Sequence, residues 1–388
     1  MSPDRFSRRG FVHLLGAGAA GALLAPAATA RGLEARFDPD RSRAEAQRAR
    51  ALVRIDSNEN PRGPGPAALA ALGTAAAMVH RYPDDAAAEL RGVVARAHAV
   101  GLPQVCLGCG STDVLRAAVQ AWTGPSRALV TAAPTYEAAA AEAKRVGAPV
   151  REVPVAKDLR LDLAAMRAAA RDAGLVYLCN PNNPTGTVHG REAMQDFIVA
   201  VRRESPGCAI VVDEAYHEYV SDRSYESMTS VAFATPRVLV ARTFSKVYGL
   251  AGLRAGYGVG HESTIAEVAP WTLDIGVNTM AALAAQASIA APGAGDHLAR
   301  ERALNAEARE LTVRFFRDAG YRPAAAEANF VMVDVRRDVN EFRKACRAQG
   351  IAIGRAFPPL PTHARVSIGT REEMEQAIAV FGRALAAG

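Results

Sequence analysis

The chain has 388 residues, a formal net charge of +6, and 22% charged against 49% apolar side chains. That length exceeds one ordinary core and predicts a large and a smaller domain, and the composition excludes a disordered or collagen-like chain. The charge is lopsided: residues 1–54 hold ten arginines and five acids, a net +5, so the basic balance is an N-terminal effect that argues against a nucleic-acid partner.

Ser7-Arg8-Arg9-Gly10-Phe11-Val12 precedes an uncharged stretch, 13–30, rich in Ala, Gly and Leu and closing on Ala28-Thr29-Ala30. This resembles a twin-arginine export signal cleaved after Ala30. It predicts a periplasmic or exported protein, cytoplasmic where the signal is not used. The stretch is short and contains Pro26, so no lasting membrane insertion is expected. Gly16-Ala-Gly18-Ala-Ala-Gly21 offers a rival reading as a dinucleotide-binding turn. That turn needs a following helix and second strand, and here Pro26 and an Arg/Ala-rich segment follow instead. Residues 31–50 read as a polar linker or exposed helix.

Val53 to Pro64 is extended and punctuated by Pro and Gly, and Asn58 within it reads as a ligand contact or a turn cap. Helices are predicted over 67–79 and 86–97, with Arg81-Tyr82-Pro83-Asp84 as an exposed turn between them. A short strand, 105–107, leads to Gly108-Cys109-Gly110-Ser111-Thr112-Asp113 and a helix over 114–122. Glycines and hydroxyls at a helix start make an anion site, and equally an ordinary N-cap. The strand 127–131 ends near Tyr136, which either stacks on a flat ring or packs on the next helix, 138–146. A strand at 150–155 and a helix at 161–173 follow. The strand 175–178 delivers Asn180-Pro181-Asn182-Asn183. After a helix at 192–203, the strand 208–212 delivers Asp213 and Tyr216. The strand 238–241 delivers Thr243, Ser245 and Lys246, with Arg254 beyond.

Strands alternating with helices predict a largely parallel sheet, and ligands bind beyond the carboxyl ends of such strands. From 279 to 318 the pattern is helical with a break at 292–295. Strands at 330–334, 351–353 and 364–368 and helices at 339–349 and 371–385 complete a smaller α+β unit. The cysteines at 106, 109, 179, 208 and 346 form no zinc set and no disulfide framework.

A lysine just past a buried strand is partly desolvated, so it loses its proton more readily and becomes a nucleophile. Hydroxyls and an arginine around it suit a phosphate. Together they point to pyridoxal phosphate (PLP) held as a Schiff base on Lys246. Asp213, at the end of a buried strand, suits the cofactor's ring nitrogen. Tyr216 and Asn183 are candidate donors to its phenolic oxygen. Ser111, Thr112, Thr243, Ser245 and Arg254 are candidates for its phosphate.

Ten stretches in order carry a family resemblance. They are Asn58-Glu59-Asn60-Pro61, Arg81-Tyr82-Pro83-Asp84, Gly108-x-Gly110-Ser111-x-Asp113, Pro134-Thr135-Tyr136, Asn180-Pro181-Asn182-Asn183-Pro184-Thr185-Gly186, Asp213-Glu214-Ala215-Tyr216, Ser245-Lys246, Gly252-Leu253-Arg254, Asn329-Phe330 and Arg365-Val366-x-Ile368-Gly369-Thr370. Across about 52–388 the sequence resembles the class I/II aminotransferases of PLP fold type I, most of all their histidinol-phosphate aminotransferase branch. The resemblance implies an α/β fold: a large domain with a mostly parallel seven-stranded sheet between helices, plus a smaller α+β domain. The expected layout is signal 1–30, an N-terminal segment 31–65 joining the small domain, a large domain 66–270 and a small domain 271–388.

It implies a transaminase that moves an amino group between a small-molecule donor, an amino acid or amino-alcohol phosphate, and a 2-oxo acid in a ping-pong cycle. Lys246, Asp213 and Tyr216 would be catalytic, Tyr136 would stack on the ring, and Arg365 would hold the substrate carboxylate. Asn58 and Arg355 are further substrate-binding candidates. A homodimer is implied, with Tyr82 reaching the neighbour's cofactor phosphate, and no metal. The sequence departs from the branch at Cys109 and over 354–361, where Arg355 and Phe357 are expected to line a different pocket. A decarboxylase or lyase on the same scaffold is the alternative chemistry, and a non-catalytic exported binding protein the remoter one.

Overall fold

The computed structural model describes residues 52–386. The twin-arginine stretch, the cleavage pattern, the Gly16–Gly21 motif and the 31–50 linker lie outside them.

A seven-stranded sheet organises the molecule. Its strands are β2 (Val105–Gly108), β3 (Ala128–Ala133), β4 (Val150–Pro154), β5 (Ala173–Cys179), β6 (Ala209–Asp213), β7 (Val238–Thr243) and β8 (Gly256–Gly260). They lie in the order β2-β8-β7-β6-β5-β3-β4. β4, β3, β5, β6 and β7 pair in parallel, and β8 runs antiparallel to both of its neighbours. Every residue of β5, β6 and β7 is buried. Side chains alternate between faces along a strand. Val176, Leu178, Ile210, Val212 and Val240 therefore pack into one core with the helices Asp84–Ala97, Arg191–Glu204 and Thr279–Ala290. Leu175, Tyr177, Val211, Leu239 and Ala241 pack into the other, against the helix Ser111–Trp122. A sheet covered on both faces is why these strands read as unbroken apolar runs.

The sequence reading passed over β8, because Gly-Tyr-Gly-Val-Gly has low strand propensity. Packing explains the glycines. A Cβ on Gly256 would run into the backbone nitrogen of Ser111, and one on Gly258 would meet Val114 at 2.8 Å and Cys106 at 2.9 Å. Glycine lets β8 approach the start of the Ser111–Trp122 helix closely. The short helices Thr229–Ala234 and Glu262–Val268 were not predicted either, and the predicted 161–173 helix is confined to Leu163–Ala169 because β5 already begins at Ala173.

The C-terminal part builds its own core. β9 (Phe330–Asp334) pairs antiparallel with β11 (His363–Ser367), and β1 (Val53–Ile55) pairs in parallel with β10 (Ile351–Ile353). Val331, Val333, Ile353, Val366 and Ile55 pack with Phe316, Phe342 and Phe381 from three helices. The predicted break in the long helical segment falls between Thr279–Ala290 and Ala294–Asp318. By joining β10, the N-terminal segment carries Asn58 in beside β11.

Candidate active site

The register of the central strands aligns Cys179 of β5, Asp213 of β6 and Ala241 of β7 in one row. The residues just beyond that row therefore emerge at one edge of the sheet. Together they border a cavity of about 560 Å³, within the range of small-molecule sites. Its walls bring together Ser111, Thr112, Tyr136, Asn183, Asp213, Tyr216, Thr243, Ser245, Lys246 and Arg254, with Asn58, Arg355 and Arg365 from the C-terminal side. Of the predicted site residues only Tyr82 stands apart; it is 81% exposed on the surface.

Lys246 Nζ donates to the Asn58 carbonyl at 3.1 Å. Burial brings its pKa down to about 8, and the nearby Arg365 guanidinium pushes the same way. Asp213 is 2% exposed. Burial pushes its carboxyl up to about 6, against hydrogen bonds from the Tyr177 hydroxyl at 2.8 Å and the Ala215 N–H at 3.1 Å. Burial also pushes the Tyr216 hydroxyl above its ordinary range, which keeps it protonated; it accepts from Asn58 Nδ2 at 3.2 Å.

The other wall is a cradle of donors. The helix Ser111–Trp122 starts after Gly110, whose φ of 75° needs no Cβ, and no side chain caps it there. Asp113 instead accepts the N–H of Cys109 at 3.1 Å and of Leu273 at 3.3 Å. Thr112 and Tyr136 share a hydrogen bond at 3.1 Å. Thr243 donates to Ser245 at 3.0 Å, and Arg254 Nη1 reaches Ser245 at 3.3 Å. A Cβ on Gly110 would collide with Arg254 Nη2, so glycine is what admits the guanidinium to the helix start. Arg254 itself sits at φ 64°, a strained region that non-glycine residues occupy where surrounding structure holds them.

Arg365 is buried in β11. Nη1 donates to Asn183 Oδ1 at 2.8 Å and Nη2 to the Asp56 carbonyl at 2.9 Å. Its Nε is buried with no partner among the described residues. A buried donor left unpaired is costly; this one lies against Gly354, where an added Cβ would stand 3.1 Å from it. Asn58 holds φ 55° and is fixed on every side: its N–H bonds Ser367 at 2.9 Å, its Oδ1 accepts from Ser367 at 2.7 Å, and its carbonyl accepts from Asn329 at 3.0 Å. Arg355 is half-exposed, pairs with Glu137 at 2.6 Å and lies 4.3 Å over the Phe357 ring.

These groups fit pyridoxal phosphate: an amine with a lowered pKa, a desolvated carboxylate for a cationic ring nitrogen, a helix start with hydroxyls and an arginine for a phosphate, and a second arginine, Arg365, bordering the cavity for a substrate carboxylate. Among the described residues no three His, Cys, Asp or Glu side chains are grouped to hold a metal, and no helix is long and apolar enough to cross a membrane. The sequence reading missed Tyr177, Glu137 and Arg343. A tyrosine inside an otherwise aliphatic buried strand was a usable signal for the first, because a buried hydroxyl needs a partner; the other two stand on the surface-facing rim, where charge is ordinary.

The family profile described as aminotransferase class I and II matches residues 50–381. The chain is similar to a histidinol-phosphate aminotransferase of Symbiobacterium thermophilum, 37% identical over 87% of this chain and 91% of that one. It is likewise similar to an aromatic amino acid aminotransferase of Thermobifida fusca, 36% identical over 84% of this chain and 89% of that one. Among solved structures, a histidinol-phosphate aminotransferase from Sinorhizobium meliloti in complex with pyridoxal-5'-phosphate superposes with a TM-score of 0.79 at 29% identity, covering 88% of this chain and 93% of that one.

Proposed function

The chain belongs to the class I and II aminotransferases, and from that premise we propose how its cavity carries out PLP-dependent amino transfer and on what class of donor. When bound, the cofactor supplies an electrophilic carbonyl and an electron-withdrawing ring. The observation that carries the reading is the convergence of the Lys246 amine and the desolvated Asp213 carboxylate in one cavity.

Lys246 Nζ is the amine that holds the cofactor and the group that moves a proton within the site. With a pKa near 8, a useful fraction is neutral around pH 7, which poises it as both nucleophile and base. Asp213 would favour a protonated ring nitrogen by offering a buried negative charge, and the Tyr177 hydroxyl and Ala215 N–H aim that carboxylate. Tyr216 would donate to the cofactor's phenolic oxygen, and so would the Asn183 amide NH₂, since its Oδ1 is committed to Arg365. Ser111, Thr112, Thr243, Ser245 and Arg254 would hold the phosphate, and Tyr136 would stack on the ring. Arg365, which borders the cavity from β11, would take the substrate's anionic group.

The amino donor carries a flat ring. Relatives named for histidinol phosphate and for aromatic amino acids share that feature, and a 2-oxo acid is the acceptor. The enzyme works as a homodimer in which Tyr82 enters the neighbouring cavity. Met78, Val79, Trp271, Leu273 and Ile275 are large apolar side chains left exposed, as residues that subunits cover often are. The N-terminal 30 residues direct twin-arginine export.

Incubation of the holoenzyme with an aromatic L-amino acid, without acceptor, is expected to release about one equivalent of 2-oxo acid per site and to change the cofactor's visible absorbance; a 2-oxo acid then restores it. Carbon dioxide with no oxo acid would overturn the reading in favour of a decarboxylase. Sedimentation tests the dimer, and processing after Ala30 tests the export signal.

A further inference from the structure

The outer wall of the cavity carries an ion pair that amino transfer as described above leaves unused. Glu137 follows Tyr136 directly and precedes the helix Ala138–Arg145. Its Oε2 lies 2.6 Å from Arg355 Nη2, on the segment that follows β10. Glu137, Arg355 and Arg365 all border the same cavity. The guanidinium carbon of Arg355 lies 4.3 Å from the Phe357 ring centroid, and that of Arg365 lies 5.2 Å from the same centroid. Phe357 is buried. One fixed ring thus spaces two guanidinium groups, the inner one buried and the outer one paired with Glu137.

We propose that Glu137 is a specificity-determining residue: it is a built-in competitor for a second acid group on the substrate, held against Arg355 until a substrate with a distal carboxylate displaces it. The proposal rests on Arg365 holding the substrate's inner anion. A ping-pong enzyme admits two substrates in turn to one site. A donor with an uncharged ring meets Arg355 and Glu137 as a neutral pair, so no bare cation has to be covered by an apolar ring. A dicarboxylic acceptor exchanges its distal carboxylate for that of Glu137, and the count of ion pairs is unchanged.

The exchange is easy because the pair is exposed, 47% at Arg355 and 63% at Glu137, and exposed pairs are weak. The inner arginine also senses the outer pair. Burial lowers the pKa of Arg365, Arg355 adds to that shift, and Glu137 opposes it. Arg343 borders the cavity as well, with Nη1 on Asn340 at 3.2 Å and Nε unpartnered among the described residues. It is the rival receptor for a distal acid, and the test separates the two.

The experiment is calorimetric binding to the holoenzyme of two unreactive acids, glutarate and 3-phenylpropanoate. Glu137→Gln is expected to raise the ratio of glutarate to phenylpropanoate affinity roughly two- to five-fold, the size of one exposed ion pair removed. Arg355→Gln is expected to lower that ratio by a similar factor, and in the double variant Glu137→Gln adds nothing further. A ratio unmoved by Glu137→Gln overturns the proposal. So does a loss of glutarate binding in Arg343→Gln that Arg355→Gln does not reproduce. Arg365→Lys is the control on the premise: it is expected to weaken both acids, and if it weakens neither, the assignment of Arg365 fails and takes this proposal with it.

Discussion

The cavity has two ends built on different principles. The inner end, around Lys246, Asp213 and Tyr216, hangs from the ends of three buried parallel strands in fixed register. Its groups are desolvated, and the two whose charge matters most have pKa values displaced towards neutrality. The outer end, around Arg355, Glu137 and Arg343, stands on a loop, a helix start and a helix rim, and its main ion pair is half in water. Burial makes the inner end chemically potent and intolerant of change. Exposure makes the outer end weak and adjustable. One scaffold can therefore hold its reaction fixed at the inner end while the outer end tolerates change.

The largest effect belongs to the innermost group. Lys246→Ala is expected to cost about 10³-fold or more in kcat, the scale of losing a positioned base, and to abolish the absorbance band of the imine-bound cofactor. Loading should also depend on pH. A lysine lowered from 10.5 to about 8 is protonated below that value, so the rate at which bare protein takes up PLP rises through pH about 8 and then levels. A rate flat from pH 6 to 9 would show that Lys246 is not the acceptor. Asp213→Asn comes next, at roughly 10²-fold in kcat with the cofactor still bound, since an amide cannot hold the ring nitrogen's proton by charge. If kcat survives, the inner carboxylate has no electronic role.

The same contrast decides what was legible in the sequence. β5, β6 and β7 are buried on both faces, so their apolar runs and the polar residues that end them stood out together. Lys246, Asp213, Asn183 and Tyr216 were readable for that reason. β8 was not, because close packing on Ser111 and Val114 demanded glycines, which carry no strand signal of their own. Tyr177 was missed because its hydroxyl bond to Asp213 joins two strands 36 positions apart, and the pairing register was unknown. Glu137 was missed for the opposite reason: an acid at a helix start is common on any surface, and only the Arg355 side chain brought against it gives it meaning.

Arg365 lies between the two ends and tests where one gives way to the other. Arg365→Lys keeps the charge but loses the planar fork that also binds Asn183 and Asp56. A hydrogen bond to a charged group is worth about 1.5–3 kcal/mol, so KM should rise roughly ten- to hundred-fold for every carboxylate substrate. Equal losses for ring-bearing and dicarboxylic substrates place Arg365 with the inner end. A loss confined to dicarboxylates would move the boundary inward.

The smallest effect sharpens the comparison most, because Tyr177 acts only through Asp213. The Tyr177 hydroxyl stabilises the ionised carboxylate at 2.8 Å and so holds the Asp213 pKa below where burial alone would put it. Removing that bond in Tyr177→Phe should raise the value from about 6 by about one unit, since 1.36 kcal/mol is one pKa unit. The sign for stability follows. Asp213 has a folded pKa above its ordinary 3.8, so the bare folded chain keeps a proton that the unfolded chain has lost. Its contribution to stability falls as pH rises from about 4 to about 6 and is fully unfavourable above that. In Tyr177→Phe the fall should continue towards pH 7. Other carboxylates titrate in the same range, so the measurement is the melting temperature of cofactor-free protein against pH, with Asp213→Asn and the double variant closing the cycle. If Tyr177→Phe shifts the profile equally with and without Asp213, the tyrosine is packing material. If the shift needs Asp213, the inner end is tuned one layer deeper than the residues that line the cavity, a layer for which the half-exposed outer pair has no counterpart.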